Sequence, residues 1–344
     1  MNKKNTLIGA IFFIVIITYI SLNYYSKIYG TNVKKSALIQ IPTGTNIKEL
    51  KTILTPYLKD VKSFEWVANK KKYATHIKPG QYTIKAAANN NELVNLLRSG
   101  KQTPVKLSFN NQHRLENLAG RIAIQIEADS IALLETFKNP NFLKQNDFNT
   151  KTALAMYIPN SYQIYWNTSP EALRKKMLEE YIRFWKNNNR LNKAKAQNLS
   201  QVEVISLASI VQKETAYIPE RPTVAGLYLN RYHHKWSLQS DPTVIFALKE
   251  KHGQNFEVKR VLNKDLSIDS PYNTYKYRGI PPGPIGMPDI SSIDAVLNPE
   301  KHNYYYMCAS VENFGKHAFA KNLNQHNKNA KKYQQWLSKQ GVNR

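Results

Sequence analysis

Residues Ser200 to Thr215 read SQVEVISLASIVQKET, and this stretch predicts the helix around which the rest of the chain is organised. Ser200 is followed three residues later by Glu203, and this capping-box pair satisfies the first free backbone amides of a helix. Apolar residues then recur at helical spacing: Val204, Leu207, Ala208 and Val211. The stretch therefore predicts an amphipathic helix with one apolar face.

Glu214 lies at the end of that apolar face, three residues after Val211 and seven after Leu207. Burial raises the pKa of a carboxyl group, and the negative end of a helix dipole acts in the same direction. A carboxyl group that stays protonated near neutral pH can donate a proton, so Glu214 is a candidate general acid. The alternative is a solvated or salt-bridged glutamate beside Lys213, which is the usual state of such a residue.

The composition favours a folded protein with an anionic neighbour. The 344 residues, 42% of them hydrophobic, suffice for an anchor and two domains. A formal net charge of +25 implies nucleic acid, anionic lipid headgroups or a carboxylate-bearing polymer as a partner. The lysines are scattered among many asparagines rather than gathered in an arginine-rich block, which argues against nucleic acid.

The single cysteine, Cys308, excludes an intrachain disulfide and a multi-cysteine metal site. It stands in the run YYYMCAS, which predicts a buried strand and makes it a poor catalytic thiol.

The N-terminus contains an uncharged run over residues 7–22, LIGAIFFIVIITYISL. With the next three residues it predicts a transmembrane anchor over residues 7–25, after a short tail of residues 1–6. A cleavable signal peptide is the alternative, although no small-x-small site follows the run. Lysines flank the run on both sides, so charge alone leaves the orientation open.

Residues 37–104 predict two short strand-then-helix units. ALIQIPTGTN predicts a strand and turn, after which Asn46 and Glu49 form a capping box for a helix to about Leu58. PGQYTIKA predicts the second strand, and Asn89 with Glu92 caps a helix that ends near Gly100. A third strand, VKLSF, is predicted at residues 105–109. The region is either a small binding module or a spacer.

Five separated blocks of the sequence resemble, in the same order, the endolytic murein transglycosylases, the MltG or YceG-like family. The resemblance is dense over residues 200–330 and thinner before them. In that family the glutamate of the KET block is the catalytic residue, and it maps onto Glu214. The blocks are ASIVQKET (208–215), ERPTVAGLYLNR (220–231), LQSDPTVIFAL (238–248), SPYNTYKYRGIPPGPIGMP (270–288) and HAFAKNLNQHN (317–327).

The resemblance implies an α+β fold with three parts: the transmembrane helix, a LysM-like module over residues 37–104, and a YceG-like catalytic domain over residues 105–344 with its site core at 200–330. It also implies a single-pass protein of the cytoplasmic membrane, with residues 1–6 as a cytoplasmic tail and the large domain facing the wall. Residues Asn110 and Asn111 depart from the acidic-glycine pair usual in the relatives.

The sequence offers one outstanding acid. Asp241 directly precedes Pro242 and is interpreted either as the N-cap of a helix over residues 243–248 or as part of the site. Glu220 is interpreted as a turn residue. Hydrolysis of a glycoside normally needs two carboxylates, whereas a lytic cut needs one. The resemblance implies a lytic cut between N-acetylmuramic acid and N-acetylglucosamine, with Glu214 as acid and base and 1,6-anhydro ends as products.

The segment SPYNTYKYRGIPPGP, residues 270–284, is the predicted substrate wall, because tyrosines offer flat faces and hydroxyl groups to sugars. A rigid surface loop with exposed tyrosines is the alternative. The predicted substrate-binding residues are Asn230, Gln239, Asp241, Tyr272, Asn273, Thr274 and Tyr275.

The histidines do not form a metal-binding pattern. His233 and His234 are adjacent, and His317 and His326 lie nine residues apart with no acidic residue between them. No metal and no cofactor are therefore predicted.

The predicted function is cleavage of nascent glycan strands, which would terminate their elongation. The predicted partners are peptidoglycan strands and the cytoplasmic membrane, with a peptidoglycan synthase as a further candidate. A non-enzymatic glycan-binding scaffold and a murein hydrolase remain alternatives. The sequence leaves open the glycan length, the stem-peptide preference, the oligomeric state and any cleavage of the anchor.

Overall fold

The computed structural model describes residues 3–340 and divides them into two compact units. The N-terminal unit holds residues up to 107 together with residues 123–128 and 162–169, and the C-terminal unit holds residues 108–122, 129–161 and those from 170 onward. The first two residues of the predicted tail and the last four of the predicted catalytic domain lie outside the described residues.

The first helix, α1 (Lys3–Tyr29), contains the predicted anchor. Its segment Leu7–Tyr29 has 23 residues, a mean hydropathy of 2.1 and no part buried within the protein. At about 1.5 Å per residue the segment is long enough for a hydrocarbon core of roughly 30 Å. Length and composition therefore suit a membrane-spanning helix, and a signal sequence meets the same test.

The N-terminal unit continues with a strand, two helices, a strand and a helix. They are β1 (Ala37–Ile41), α2 (Ile47–Leu54), α3 (Val61–Lys70), β2 (Gly80–Ile84) and α4 (Asn90–Ser99). The strands pair antiparallel, with Ala37 opposite Ile84 and Ile41 opposite Gly80. The helices cover this sheet with a core that includes Leu50, Phe64, Tyr82 and Leu93.

The predicted capping boxes of this unit are confirmed. The side chains of Asn46 and Asn89 accept from the backbone of Glu49 and Glu92, whose carboxylates bind back to the cap amides. The prediction of one helix to about Leu58 is wrong, because α2 ends at Leu54 and a second helix, α3, follows.

The remaining elements are mostly helices with short strands, which confirms a mixed helix and short-strand fold. The elements are β3 (Val105–Phe109), α5 (Leu115–Ala123), α6 (Ser130–Phe137), α7 (Pro140–Gln145), β4 (Asn160–Ile164), α8 (Pro170–Lys186), α9 (Arg190–Ala196), α10 (Gln201–Glu214), α11 (Arg221–His233), α12 (Asp241–His252), α13 (Ile290–Leu297), β5 (Tyr306–Ala309), β6 (His317–Ala320) and α14 (Leu323–Lys339). Two-stranded sheets pair β3 with β4 and β5 with β6.

Helix α10 is the centre of the C-terminal unit. Its capping box, Ser200 with Glu203, forms as predicted. The prediction of a single apolar face is wrong, because every residue from Val204 to Val211 is buried. A helix that packs on all sides needs no polar face, and α10 packs against α11, α12 and α13. The central position of α10 fixes its last residue, Glu214, at the end of a rigid core element.

Candidate active site

Glu214, the last residue of α10, lines a cavity of about 230 Å³. The residue is half-buried. The cavity walls come from α11, the start of α12, the loop at Tyr275 and the hairpin of β5 and β6. Its lining residues besides Glu214 are Leu227, Tyr228, Arg231, Gln239, Asp241, Tyr275, Met307, Cys308, Ala309 and His317.

Two hydroxyl groups hold one oxygen of the Glu214 carboxyl group. The Tyr228 hydroxyl donates to Oε1 at 2.7 Å, and Ser240 Oγ donates to the same oxygen at 2.5 Å. Within residues 3–340 no hydrogen bond reaches Oε2 of Glu214. The carboxyl group is therefore oriented through one oxygen, and the other is available to a ligand in the cavity.

Burial raises the pKa of the Glu214 carboxyl group above its ordinary value. The hydrogen bonds from Ser240 and Tyr228, and then the nearby His317, act in the opposite direction, while Asp241 raises the pKa further. The net shift is upward and favours the protonated acid, which is the form that a proton donor requires.

Asp241 lies in the same cavity as Glu214. Its interpretation as an N-cap is wrong, because α12 begins at Asp241 itself and Ser240 occupies the cap position. Ser240 makes no side-chain cap, since its hydroxyl group is bonded to Glu214. Asp241 Oδ1 instead accepts a hydrogen bond of 2.6 Å from the Tyr275 hydroxyl group. The cavity thus contains two carboxylates.

A third acid, Glu220, does not line the cavity but binds His317, which does. It is only 7% exposed, and its Oε1 accepts from the backbone amide of His317 at 2.7 Å. Its Oε2 lies 2.9 Å from His317 Nδ1. Because His317 lines the cavity, this pair fixes the imidazole ring next to Glu214. The interpretation of Glu220 as a turn residue missed this partner, which is 97 positions away in sequence.

Arg231 supplies a fixed positive charge to the cavity wall. It is 8% exposed, and its guanidinium donates from Nε to the Tyr305 carbonyl at 2.7 Å and from Nη1 to the Leu238 carbonyl. Both acceptors are neutral, so the charge of Arg231 remains available to the acids and to a bound ligand.

The structure brings Gln239, Asp241 and Tyr275 to the cavity of Glu214, three of the seven residues predicted to bind substrate. The side chain of Asn230 instead donates to the carbonyls of His302 and Tyr304, at 2.8 and 3.1 Å.

The other three predicted residues organise the loop that carries Tyr275. Asn273 donates to the carbonyls of Leu266 and Ile268 at 2.9 Å each. Thr274 Oγ1 accepts from the Ser240 amide at 3.0 Å and so fixes the residue that holds Glu214. Tyr272 packs on Phe246 with ring centroids 4.6 Å apart, and burial raises its pKa to about 12. Their contact with substrate, and that of Asn230, stays a prediction.

Cys308 lies in strand β5 as predicted, but the prediction of burial is wrong, because the residue is partly exposed and lines the cavity. Partial desolvation of the thiol still raises its pKa, which disfavours the reactive thiolate. Within residues 3–340 no group of three or more His, Cys, Asp or Glu side chains is placed to hold a metal ion.

The fold and the site define a mixed helix and short-strand protein with a sheltered acid in a polar cavity, which is the arrangement of an acid–base enzyme. The chain belongs to the YceG-like family, whose sequence model matches residues 39–332.

Curated relatives from two species carry the name endolytic murein transglycosylase. The one from Bacillus subtilis is 30% identical over 87% of this chain and 85% of its own length. The one from Streptococcus pneumoniae strain R6 is 29% identical over 87% of this chain, which spans 58% of that longer relative. A crystal structure described as yceG-like, from Listeria monocytogenes, is 28% identical with a TM-score of 0.56, covering 86% of this chain and 98% of the other.

Proposed function

We propose that this chain is an endolytic murein transglycosylase that cleaves the bond between N-acetylmuramic acid and N-acetylglucosamine in nascent glycan strands. The observation that carries the proposal is Glu214, a carboxyl group of raised pKa held by Tyr228 and Ser240 at the wall of a polar cavity. Family membership and the names of the curated relatives support the substrate class.

In the proposed reaction, Glu214 passes its proton to the bridging oxygen while the bond from that oxygen to the anomeric carbon breaks. The resulting carboxylate then accepts the proton of the 6-hydroxyl group of the muramic sugar as O6 bonds to the anomeric carbon. One group is acid and then base, no water is consumed, and the product is a 1,6-anhydromuramyl end. The hydroxyl groups of Tyr228 and Ser240 stabilise the carboxylate between the two proton transfers.

The position of Asp241 favours a second candidate, hydrolysis. Glycosidases that add water use two carboxylates, and Asp241 lines the cavity of Glu214. In that reaction Asp241 would act on the attacking water or on the sugar itself, while Glu214 protonates the leaving group. Analysis of the products distinguishes the two reactions.

The test is digestion of purified, uncrosslinked glycan strands by the full chain in detergent, followed by mass spectrometry of the fragments. The proposed reaction gives fragments with anhydro ends. Hydrolysis gives reducing ends, each heavier by one water molecule. A non-enzymatic scaffold, the third alternative, leaves the strands intact. Exclusive reducing ends, or intact strands, would overturn the proposal.

We also propose that the N-terminal unit holds glycan as a LysM-like module and that α1 anchors the protein with its C-terminal unit on the wall-facing side. The strand–helix–helix–strand order of residues 37–84, with its antiparallel pair, supports the first proposal. The length and apolar composition of α1 support the second. Cleavage by such an anchored enzyme would terminate strands near the synthases that extend them.

A further inference from the structure

A second, larger cavity lies beside the candidate active site in the C-terminal unit. Its volume is about 470 Å³, twice that of the cavity of Glu214. Residues that are adjacent in sequence line the two cavities. Lys213 lines the larger one and Glu214 the smaller, and Pro242 lines the larger one and Asp241 the smaller. The end of α10 and the start of α12 therefore contribute side chains to both cavities, which are neighbours in the C-terminal unit.

The larger cavity combines apolar walls with basic side chains, and we call it the basic cleft. Its walls include Ile245, Phe246 and Ile285. Its basic side chains are His113, Arg114, Lys213 and Lys249, and its acidic side chain is Glu116.

The acids near the basic cleft already have partners. Arg114 pairs with Glu116 through Nε at 3.3 Å and with Glu250 through Nη1. Glu116 also pairs with Lys138 at 2.5 Å. The charges of Arg114 and Lys138 are thus neutralised by those of Glu116 and Glu250, and neither carboxylate pairs with Lys213 or Lys249.

Lys213 and Lys249 are the uncompensated charges of the basic cleft. Within residues 3–340 neither makes an ion pair with a carboxylate. Lys213 Nζ lies 3.5 Å from His113 Nδ1, an imidazole nitrogen rather than an acid. Partial desolvation and the charge of Lys249 lower the pKa of Lys213. Desolvation, then Lys213 and Lys249, lowers the pKa of His113. An anion bound between the two lysines would relieve this repulsion.

We propose that the basic cleft binds a carboxylate of the peptide stem of murein, with Lys213 and Lys249 as its cationic partners. This inference rests on the proposed function. Each muramic sugar carries a short peptide with free carboxylates, attached to the same sugar whose anomeric carbon reacts at Glu214. The apolar walls suit the aliphatic side chains of that peptide, and a bare inorganic anion would not use them. The enzyme therefore prefers strands that bear stems.

The test compares two lipid-free glycan substrates, one with intact stems and one from which an amidase has removed them. The full chain in detergent should cleave the stem-bearing strands with a kcat/KM roughly tenfold higher, as expected for one charge-assisted contact. Lys249→Gln should reduce that ratio toward one, and Lys249→Arg should restore it. Lys251→Gln, an exposed lysine on the same helix, is the matched control and should keep the parental ratio.

A binding measurement separates this inference from the proposed function. Free stem peptide should bind the parent protein, and both Lys249→Gln and amidation of the peptide carboxylates should weaken binding roughly tenfold. Cleavage of both strands at equal rates, or equal binding of free and amidated peptide, would overturn the basic-cleft assignment and leave the proposed function standing. Charge-dependent peptide binding without cleavage of either strand would instead overturn the proposed function.

Discussion

The hydroxyl group of Tyr228 lies 2.7 Å from Oε1 of Glu214 and joins the buried face of α11 to the end of α10. Burial, and then the negative charge of Glu214, raises the pKa of Tyr228 far above its ordinary value, so this hydroxyl group keeps its proton. Tyr228 is therefore a permanent donor to Glu214, and in the proposed reaction it would stabilise the carboxylate that forms after proton transfer.

Removal of this donor should change the pH dependence of the reaction. In Tyr228→Phe the Glu214 carboxylate loses a stabilising hydrogen bond, so the pKa of Glu214 rises further. The proposed reaction requires protonated Glu214, so kcat/KM should fall as the pH rises through that pKa. We expect the descending limb of the pH profile to move to higher pH and kcat to fall by roughly 10- to 100-fold. Steady-state kinetics across pH measure both.

Tyr181→Phe is the matched control for this experiment. Tyr181 is a buried tyrosine of α8, and its hydroxyl group lies 3.5 Å from Gln201 rather than in the cavity. The control should keep the parental pH profile. A Tyr228→Phe protein with an unmoved descending limb would show that this hydrogen bond does not tune the acid.

Asp241→Asn distinguishes a supporting acid from a catalytic one. The amide keeps an oxygen that can accept from Tyr275 but loses the negative charge. For a lytic cut by Glu214 alone, we expect kcat to fall by about tenfold or less. Hydrolysis that depends on two carboxylates predicts a loss of several orders of magnitude. Asp269→Asn, an exposed acid paired with Lys276, serves as control and should be neutral.

Glu220 should affect the reaction by holding the imidazole ring of His317 in place beside Glu214. Glu220→Ala removes the acceptor that fixes the imidazole ring and leaves the partly buried donors of His317 without a partner. We expect the free energy of unfolding to fall by about 1–3 kcal/mol and kcat to fall while KM changes little. Glu220→Gln retains an acceptor oxygen and should recover part of kcat. If Glu220→Ala lowered the free energy of unfolding but left kcat unchanged, the contact between Glu220 and His317 would have a structural role only.

The raised pKa of Glu214 also predicts a pH-dependent difference in stability. A carboxyl group with a raised pKa in the folded protein contributes stability that is complete below its unfolded value and is lost as the pH rises through the folded pKa. Glu214→Gln is neutral at every pH. The Tm of the variant minus that of the parent should therefore be smallest in acid and increase as the pH rises. Calorimetry in a series of buffers measures this difference, and one that is constant with pH would contradict the shift.

Local patterns in the sequence located many helices because a capping box involves residues only three positions apart. Ser200 with Glu203 predicted the start of α10, and Asn46 with Glu49 predicted the start of α2. Helix α3 was not predicted, because its N-cap residue, Asp60, is followed three positions later by Ser63 and not by the Glu or Gln of a capping box. The first residue of each of these helices is set by hydrogen bonds between residues close in sequence, so the sequence alone can predict it.

The composition of the cavity depends on contacts between distant residues, and there local rules failed. A proline after Asp241 suggested a cap, but Ser240 is turned toward Glu214, 26 positions earlier. Glu220 looked like a turn residue because its partner, His317, stands 97 positions away. The position of Glu214 at the end of a buried helix could be predicted from residues of that helix alone, because Glu214 continues its apolar spacing. The catalytic role of Glu214 stays a prediction.

The catalytic assignment of Glu214 is tested by the rate at which Glu214→Gln cleaves purified glycan strands, with the fragments identified by mass spectrometry. Glutamine keeps the size of the side chain but can neither donate the proton nor take one back. In the proposed reaction one group performs both transfers, so we expect kcat to fall on the order of 10⁴-fold or more, with no anhydro ends above background. Glu312→Gln, at an exposed ion pair, should cleave as the parent does. Anhydro ends formed by Glu214→Gln at the parental rate would contradict the assignment of Glu214 as the catalytic acid and base.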